Sequence, residues 1–247
     1  SDWVDSAVEQ DERDLELLAY ARKEIAALNA KYPADPDGTQ RFHLLHRRRL
    51  YNPSQGCWMG WERKRGKLHE LNLLLRGDAD TTFLPSDTPL PKGVVHVMTL
   101  AADTRMPRGD EASFFQRVFS SNRGLDPYVF AVSDVYQDLF GQGTFTGKGL
   151  YHIDAFETAL AGKFAENTVL SHDLLEGAIA RAALVTDVEV VEDYPTRYAV
   201  DASRQHRWAR GDWQLLPMIF SRKLDVPPLS RWKMVDNLRR SLTPIFW

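Results

Sequence analysis

Residues 204–213, RQHRWARGDW, combine cations with flat aromatic rings in one short stretch. The stretch contains three arginines and a histidine, with tryptophans at positions 208 and 213. An arginine guanidinium can bind two phosphate oxygens at once, and an indole ring can lie flat against a sugar. A solvated basic turn has the same composition. From this segment alone, an anion-binding site and a basic turn both remain open.

Asp173, in the segment VLSHDLLEG, has the chemistry of a general base. A carboxylate can take a proton from an acceptor hydroxyl, as an inverting sugar transfer requires. Ser-x-Asp before an apolar run is equally typical of helix capping. Glu176 lies one helical turn further on, and a pair of carboxylates would also suit glycoside hydrolysis. Spacing along the chain does not decide among these alternatives.

Asp103 follows the apolar run GVVHVMTL, at the end of the segment AADT. A carboxylate at the end of a buried strand can hold a divalent cation that bridges phosphates. A turn or helix-capping aspartate would occupy the same position. The glycine-rich segment 141–149, GQGTFTGKG, lacks the spacing of a Walker A or dinucleotide-binding loop. It predicts either a flexible loop beside a ligand or a turn-rich hairpin.

Charge is concentrated in two blocks of opposite sign. Residues 1–19 carry seven acids against one arginine, and residues 41–67 carry eight lysines and arginines against one glutamate. Trp58 and Trp61 interrupt the basic block. The block is therefore either a solvated face or an anion-binding surface with aromatic platforms.

Composition limits the class of protein. The chain has 247 residues, 43% of them hydrophobic and 26% charged, which is ordinary for a globular protein. A net charge of -3 argues against a general nucleic-acid binder. Cys57 is the single cysteine, which excludes an internal disulfide and a multi-cysteine zinc site and favours a reducing compartment.

The elements that must position these residues follow from periodicity. Helices are predicted over residues 8–30, 64–77 and 172–184, where apolar residues recur at helical spacing. A buried strand is predicted over 93–100, and a second strand over 187–195. Helices alternating with strands predict an α/β fold with a mostly parallel sheet, in which ligands bind at the carboxyl ends of strands.

Several segments in order resemble the cellulose-synthase type of inverting glycosyltransferase. They are KRGKLHELN, LAADTRMP, GTFTGKGLYHIDAF, LSHDLLEG and RQHRW, the last of which fits the (Q/R)xxRW motif of that family. More closely, FHLLHRRRLYNPSQGCWMGWERKRGKLHELN, FAVSDVYQDLFGQGTFTGKG and RWKMVDNLRR are similar to the glycosyltransferase domain of bacterial cyclic β-1,2-glucan synthases. The resemblance covers nearly the whole chain.

The resemblance implies a single GT-A-like (Rossmann-like) domain over 1–247, with a mostly parallel sheet flanked by helices. It implies a hexosyltransferase that moves glucose from UDP-glucose, with inversion, onto a growing β-1,2-glucan. In that family Asp173 corresponds to the catalytic base, and Asp103 to the aspartate that binds Mg²⁺ or Mn²⁺ and diphosphate. The donor side is expected at Asp2, Lys67, Arg204, Arg207 and Trp208, and the acceptor side at Gly147, Lys148 and Trp208.

The family also implies a setting and a rival interpretation. Its members are multi-pass proteins of the bacterial inner membrane with this domain on the cytoplasmic face, beside transmembrane, cyclisation and phosphorylase-like domains. Three departures stand out: Ala101 replaces the first aspartate of the DxD motif, the first nucleotide-binding strand is missing, and tens of residues are missing between Gly109 and Asp110. Ala101 motivates the alternative of a catalytically silent nucleotide- or glycan-binding domain.

Overall fold

The structure is a computed structural model that describes residues 1–100, 113–119, 135–169, 173–185, 195–221 and 225–246. The chain divides into two compact units, Ser1–Val95 (unit 1) and His96–Trp247 (unit 2). In the described residues no helix is both long enough and apolar enough to cross a membrane.

Unit 1 contains two helices and one short hairpin. In chain order the elements are α1 Glu12–Lys31, β1 Leu50–Asn52, β2 Cys57–Met59 and α2 Arg63–Leu75. The strands β1 and β2 pair antiparallel, with Leu50 opposite Met59. The helix predicted over 8–30 is confirmed, although it begins at Glu12 because Asp11 and Asp14 form a capping box there.

The second predicted helix is also confirmed, as α2, and it ends before Gly77, whose φ of +92° suits glycine. Its inner face is not formed by leucines alone. Leu68 is buried, but so is Glu70, because this carboxylate pairs with a buried arginine. The inner face of α2 is therefore partly polar.

Unit 2 is mainly helical. Its elements are β3 His96–Thr99, α3 Phe114–Phe119, α4 Val135–Phe140, β4 Gly149–His152, α5 Ile153–Leu160, α6 Asp173–Ala180, α7 Tyr198–Gln214, α8 Leu216–Phe220 and α9 Pro228–Phe246. A cluster of buried apolar side chains joins α6, α8 and α9: Val169, Leu175, Leu215, Ile219, Met234 and Leu238. On α9, Arg231 donates to the carbonyls of Met218, Ile219 and Ser221 and so closes the end of α8.

The strand predicted over 93–100 is present as β3, but the prediction that it is buried is wrong. Only Thr99 is buried; His96 and Met98 are exposed. The reason is that β3 pairs with β4 in a two-stranded ribbon, with His96 opposite His152 and Thr99 opposite Gly149. One face of this ribbon stays open.

Both sheets formed by the described residues are two-stranded and antiparallel. The mostly parallel GT-A-like sheet and the single domain over 1–247 therefore stay predictions. The strand predicted over 187–195 lies almost entirely outside the described residues.

Candidate functional site

The two charge blocks of the sequence pair with each other inside unit 1. Asp2 contacts Arg47 and Lys67, Asp5 contacts Arg63, and Asp14 contacts Arg49. The basic block is thus not one solvated face. Of its three consecutive arginines, Arg47 and Arg49 are buried while Arg48 is exposed, as expected for an extended segment whose side chains alternate in direction.

Arg47 lies at the centre of a group that we call the Arg47 cluster: Asp2, Arg47, Lys67, Glu70 and Thr82. Arg47 donates from Nε to Asp2 Oδ1 at 2.7 Å and from Nη1 to Glu70 Oε2 at 2.8 Å. Thr82 donates its backbone N–H and its hydroxyl to Glu70 at 2.9 Å and 2.7 Å. Charge-assisted bonds of this kind fix both partners in orientation.

Two residues with expected donor-side roles, Asp2 and Lys67, meet at the outer end of this cluster. Lys67 Nζ lies 3.3 Å from Asp2 Oδ2. Burial raises the pKa of Asp2, but the hydrogen bond and charge of Arg47 and the charge of Lys67 outweigh burial, and the pKa lies below its usual value. Asp2 therefore stays ionised near neutral pH.

A second buried arginine lies beside the first. Arg49 contacts both carboxylate oxygens of Asp14 and donates to the carbonyls of Val4 and Glu9. His46 packs edge-on against Trp3, and burial lowers its pKa to about 4, so its imidazole is neutral.

In unit 2 the RQHRW motif lies on helix α7, which excludes the basic turn. The Arg204 guanidinium lies 4.8 Å from the ring centroid of Trp208, one helical turn away, and 2.8 Å from Asp201. Trp208 remains 41% exposed. The helix therefore holds Arg204 against a half-open indole face.

The two motif arginines differ in accessibility. The side chain of Arg204 is 20% exposed and is in contact with Asp201, whereas Arg207 is exposed. Arg207 is thus the more accessible cation for a phosphate oxygen. The expectation that both arginines bind diphosphate stays a prediction.

Asp173 is the first residue of α6 and is half-buried. The apolar side of α6 anchors it, since Leu175 is fully buried in the core of unit 2. Glu176 is buried, which makes it less accessible to an acceptor than Asp173. Residues 170–172, just before Asp173, lie outside the described part of the chain.

The glycine-rich segment is a loop between α4 and β4, held at several points. Thr99 Oγ lies 3.2 Å from the carbonyl of Gly147, whose φ is +88°. Lys233 donates from Nζ to the carbonyl of Gly143 at 2.8 Å. On the α6 side, a Cβ placed at Gly177 would lie 2.6 Å from Phe145 Cβ. The loop that carries Gly147 and Lys148 is thus packed against the helix that begins at Asp173.

Asp103 and Ala101 lie outside the described residues. In the described part of the chain no three histidine, cysteine, aspartate or glutamate side chains cluster in a way that could hold a metal ion. The binding of Mg²⁺ or Mn²⁺ at Asp103 stays a prediction.

Sequence reasoning missed Arg47 and Glu70. Both stood within segments used for other arguments, the basic block and the leucine-rich helix. The opposite signs of the blocks at 1–19 and 41–67 do not single out Arg47, and Glu70 lies outside both blocks, so residue type and spacing gave no signal for this pair.

Comparison with known proteins identifies a relative of this chain. The chain is 56% identical over 290 residues to the cyclic beta-(1,2)-glucan synthase NdvB of Rhizobium meliloti (strain 1021). The match covers 100% of this chain and 10% of that protein, so the chain spans about a tenth of the relative's length. No protein-family model matches the chain.

Proposed function

Because the chain belongs to the cyclic β-(1,2)-glucan synthase family as one segment of a longer protein, we propose that it is the part that polymerises glucose. In this proposal it transfers glucose from UDP-glucose, with inversion, to a growing β-1,2-glucan. The single observation that carries the proposal is the 56% identity over the whole chain to a protein named as such a synthase.

The proposal gives the residues of each unit their own role. In unit 1 the paired Asp2 and Lys67 present an ionised carboxylate and an ammonium at a half-exposed position. The proposal assigns them to the donor nucleotide. In unit 2, Arg207 supplies an exposed cation for the diphosphate, and Trp208 supplies an indole face for a pyranose ring.

The proposed reaction is a single displacement. Asp173 takes the proton from the 2-hydroxyl of the acceptor glucose, and that oxygen bonds to the anomeric carbon of the donor. The bond from this carbon to UDP breaks, and UDP leaves with the electron pair. The α configuration of the donor thereby becomes the β configuration of the product.

UDP needs its developing charge balanced as it leaves. Arginines of the RQHRW motif supply part of that positive charge. Mg²⁺ or Mn²⁺ at Asp103 would supply more when bound, by polarising the diphosphate as a Lewis acid. We place the reaction on the cytoplasmic face of the bacterial inner membrane, with the remaining domains of the parent protein as partners.

Asp173→Asn in the full-length protein tests the base. The amide keeps the shape of the side chain but accepts a proton poorly, so we expect transfer to fall by about 10²–10⁴-fold with UDP affinity retained. UDP release with and without a β-1,2-glucan acceptor measures transfer.

Asp154→Asn is the matched control, since Asp154 also lies in the first turn of a helix of unit 2, at the start of α5. If Asp173 only stabilises its helix, the two variants should behave alike. Unchanged transfer in Asp173→Asn would contradict the mechanism. Absence of both UDP-glucose turnover and metal-dependent UDP binding in the unaltered protein would favour a catalytically silent nucleotide- or glycan-binding domain.

A further inference from the structure

Arg47 is completely enclosed: its side chain is 0% exposed. A buried guanidinium is costly unless each of its donors is satisfied. Here Nε donates to Asp2, Nη1 donates to Glu70 and to the carbonyl of Trp61 at 3.0 Å, and Nη2 donates to the carbonyl of Arg63 at 2.9 Å. Four residues accept these hydrogen bonds. Together they fix the guanidinium in a single orientation.

Backbone pairing fixes the position of Arg47 as well. The residue is bridged to Asp2 on one side and to Phe83 on the other. Glu70, on α2, is held by two hydrogen bonds from Thr82, the residue before Phe83. Arg47 and Glu70 are thus immobilised by three segments that meet around them.

Exposure increases outward along the Arg47 cluster. The Glu70 side chain is 8% exposed, Asp2 is 19% exposed and Lys67 is 32% exposed. The two oxygens of Asp2 are divided between partners, with Oδ1 on Arg47 and Oδ2 facing Lys67. The buried members hold the carboxylate, and the half-exposed members are the ones that solvent reaches.

Gly60 is a second, independent sign that space around the Asp2 carboxylate is restricted. A Cβ at position 60 would lie 2.9 Å from Asp2 Cγ and 3.0 Å from Arg47 Nη2. The backbone at Gly60 therefore packs directly against the ion pair. If the Asp2 carboxylate rotated away from Arg47, it would either displace the Gly60 backbone or move into solvent.

We propose that Arg47, supported by Glu70, is a positioning residue that fixes the Asp2 carboxylate, and through it the Lys67 ammonium, for binding the nucleotide of the donor. The inference rests on the proposed function, since it assigns Asp2 and Lys67 to the donor. Arg47 and Glu70 act only through Asp2 and touch no substrate. Their loss affects donor affinity before it affects the chemical step.

Glu70→Gln in the full-length protein is the test. It keeps the size of the side chain but removes the charge that holds Arg47. We expect KM for UDP-glucose and Kd for UDP to rise roughly tenfold, as for partners that orient metal ligands, with kcat within about twofold. Steady-state kinetics and UDP titration measure these quantities.

Asp14→Asn is the matched control. Asp14 and Glu70 are both buried carboxylates, each paired with a buried arginine of the segment 47–49. Asp14 is not in the Arg47 cluster. A purely structural role for both pairs predicts the same change in both variants, whereas positioning predicts a raised KM in Glu70→Gln alone.

Thr82→Val tests the positioning role if the Glu70→Gln protein does not fold. It removes one hydrogen bond to Glu70, and we expect a smaller rise in KM for the donor in the same direction. An unchanged KM in a folded Glu70→Gln or Thr82→Val protein overturns the positioning role while leaving the proposed function intact. Failure of the unaltered protein to bind UDP overturns both.

Discussion

The two units place different kinds of side chain in their interiors. In unit 1 the buried residues are mostly polar or charged, and Leu18, Met59 and Leu68 are its buried apolar side chains among the described residues. In unit 2 most of the buried apolar side chains form one cluster around Leu175 and Met234, although Glu176, Asp212 and Lys233 are also buried. Unit 1 is therefore stabilised by directional, charge-dependent contacts, and unit 2 by packing and the hydrophobic effect.

This difference fits the roles proposed for the units. An ion-pair interior fixes the direction of individual carboxylates and ammonium groups, which suits the recognition of a polar nucleotide. An apolar core is indifferent to charge and supplies a rigid base for a helix that begins with Asp173. Four predictions test this comparison.

Arg47→Met is expected to have the largest effect on stability. It leaves the buried Glu70 and the partly exposed Asp2 without their guanidinium, at a cost of about 3–5 kcal/mol to unit 1. Hydrogen exchange measured peptide by peptide should show lost protection in unit 1. Arg48→Met, at the exposed neighbouring position, is the control and should change little. Equal loss in unit 2 would show that the units unfold together.

Leu175→Ala should destabilise unit 2 by about 2–5 kcal/mol, because it opens a cavity under α6 at a residue that is fully buried. The same exchange experiment should show lost protection in α6 and α9. Leu139→Ala, on α4, removes the same atoms from an exposed side chain and serves as the control. A small effect at Leu175 would contradict the assignment of an apolar core.

Mild acid should weaken unit 1 through His46. The pKa of His46 is about 4 in the folded protein and 6.5 in the unfolded chain. The neutral imidazole therefore contributes its full stability to unit 1 above pH 6.5, and this stability is lost as the pH falls toward 4. By this linkage the His46 contribution alone should raise the unfolding equilibrium of unit 1 about tenfold between pH 7.5 and 5.5.

His46→Gln should remove that pH dependence, as measured by exchange at the two pH values. The lowered pKa values of Asp2 and Asp14 act in a separate, more acidic range. Their contributions are present above the ordinary value of about 3.9 and are lost as the pH falls below it. A His46→Gln protein that keeps the tenfold change would show that another group is responsible.

Arg63→Gln should have the smallest effect. Its partner Asp5 is 38% exposed and Arg63 itself 35%, so solvent screens the pair and the loss should stay below about 1 kcal/mol. Arg63 and Arg47 are both in ion pairs, but only Arg47 is fully buried. Comparing the two variants therefore shows whether burial or pairing is the source of stability. A loss as large as that of Arg47→Met would show that burial is not what matters.

Local signals predicted three of the helices, whereas the long helices α7 and α9 were not predicted. Periodic apolar residues and terminal caps act within a few residues, so α1, α2 and α6 could be predicted from sequence. The exposure of β3 could not, because it depends on pairing with β4 about fifty residues away. Burial of a strand is set by its neighbours in space, and the apolar run 93–100 does not specify them.

The candidate site was predicted in part for the same reason. Resemblance to a family predicted donor-side roles for Asp2 and Lys67, and the structure places their side chains 3.3 Å apart. Arg47 and Glu70 were not identified, since each makes its contact across a separation of 23 residues or more. Residue type and spacing carry no signal for a buried ion pair of that range.

The enclosure of Arg47 between two carboxylates also restricts how this protein can evolve. A single substitution at position 2, 47 or 70 strands a buried charge, whereas replacing a whole buried ion pair by apolar residues is often neutral. Drift at these positions must therefore proceed through coordinated changes. Because Asp2 is also assigned to the donor, that route is closed wherever the activity is under selection. We therefore expect positions 2, 47 and 70 to be invariant in active relatives and to change together only in relatives that have lost the activity.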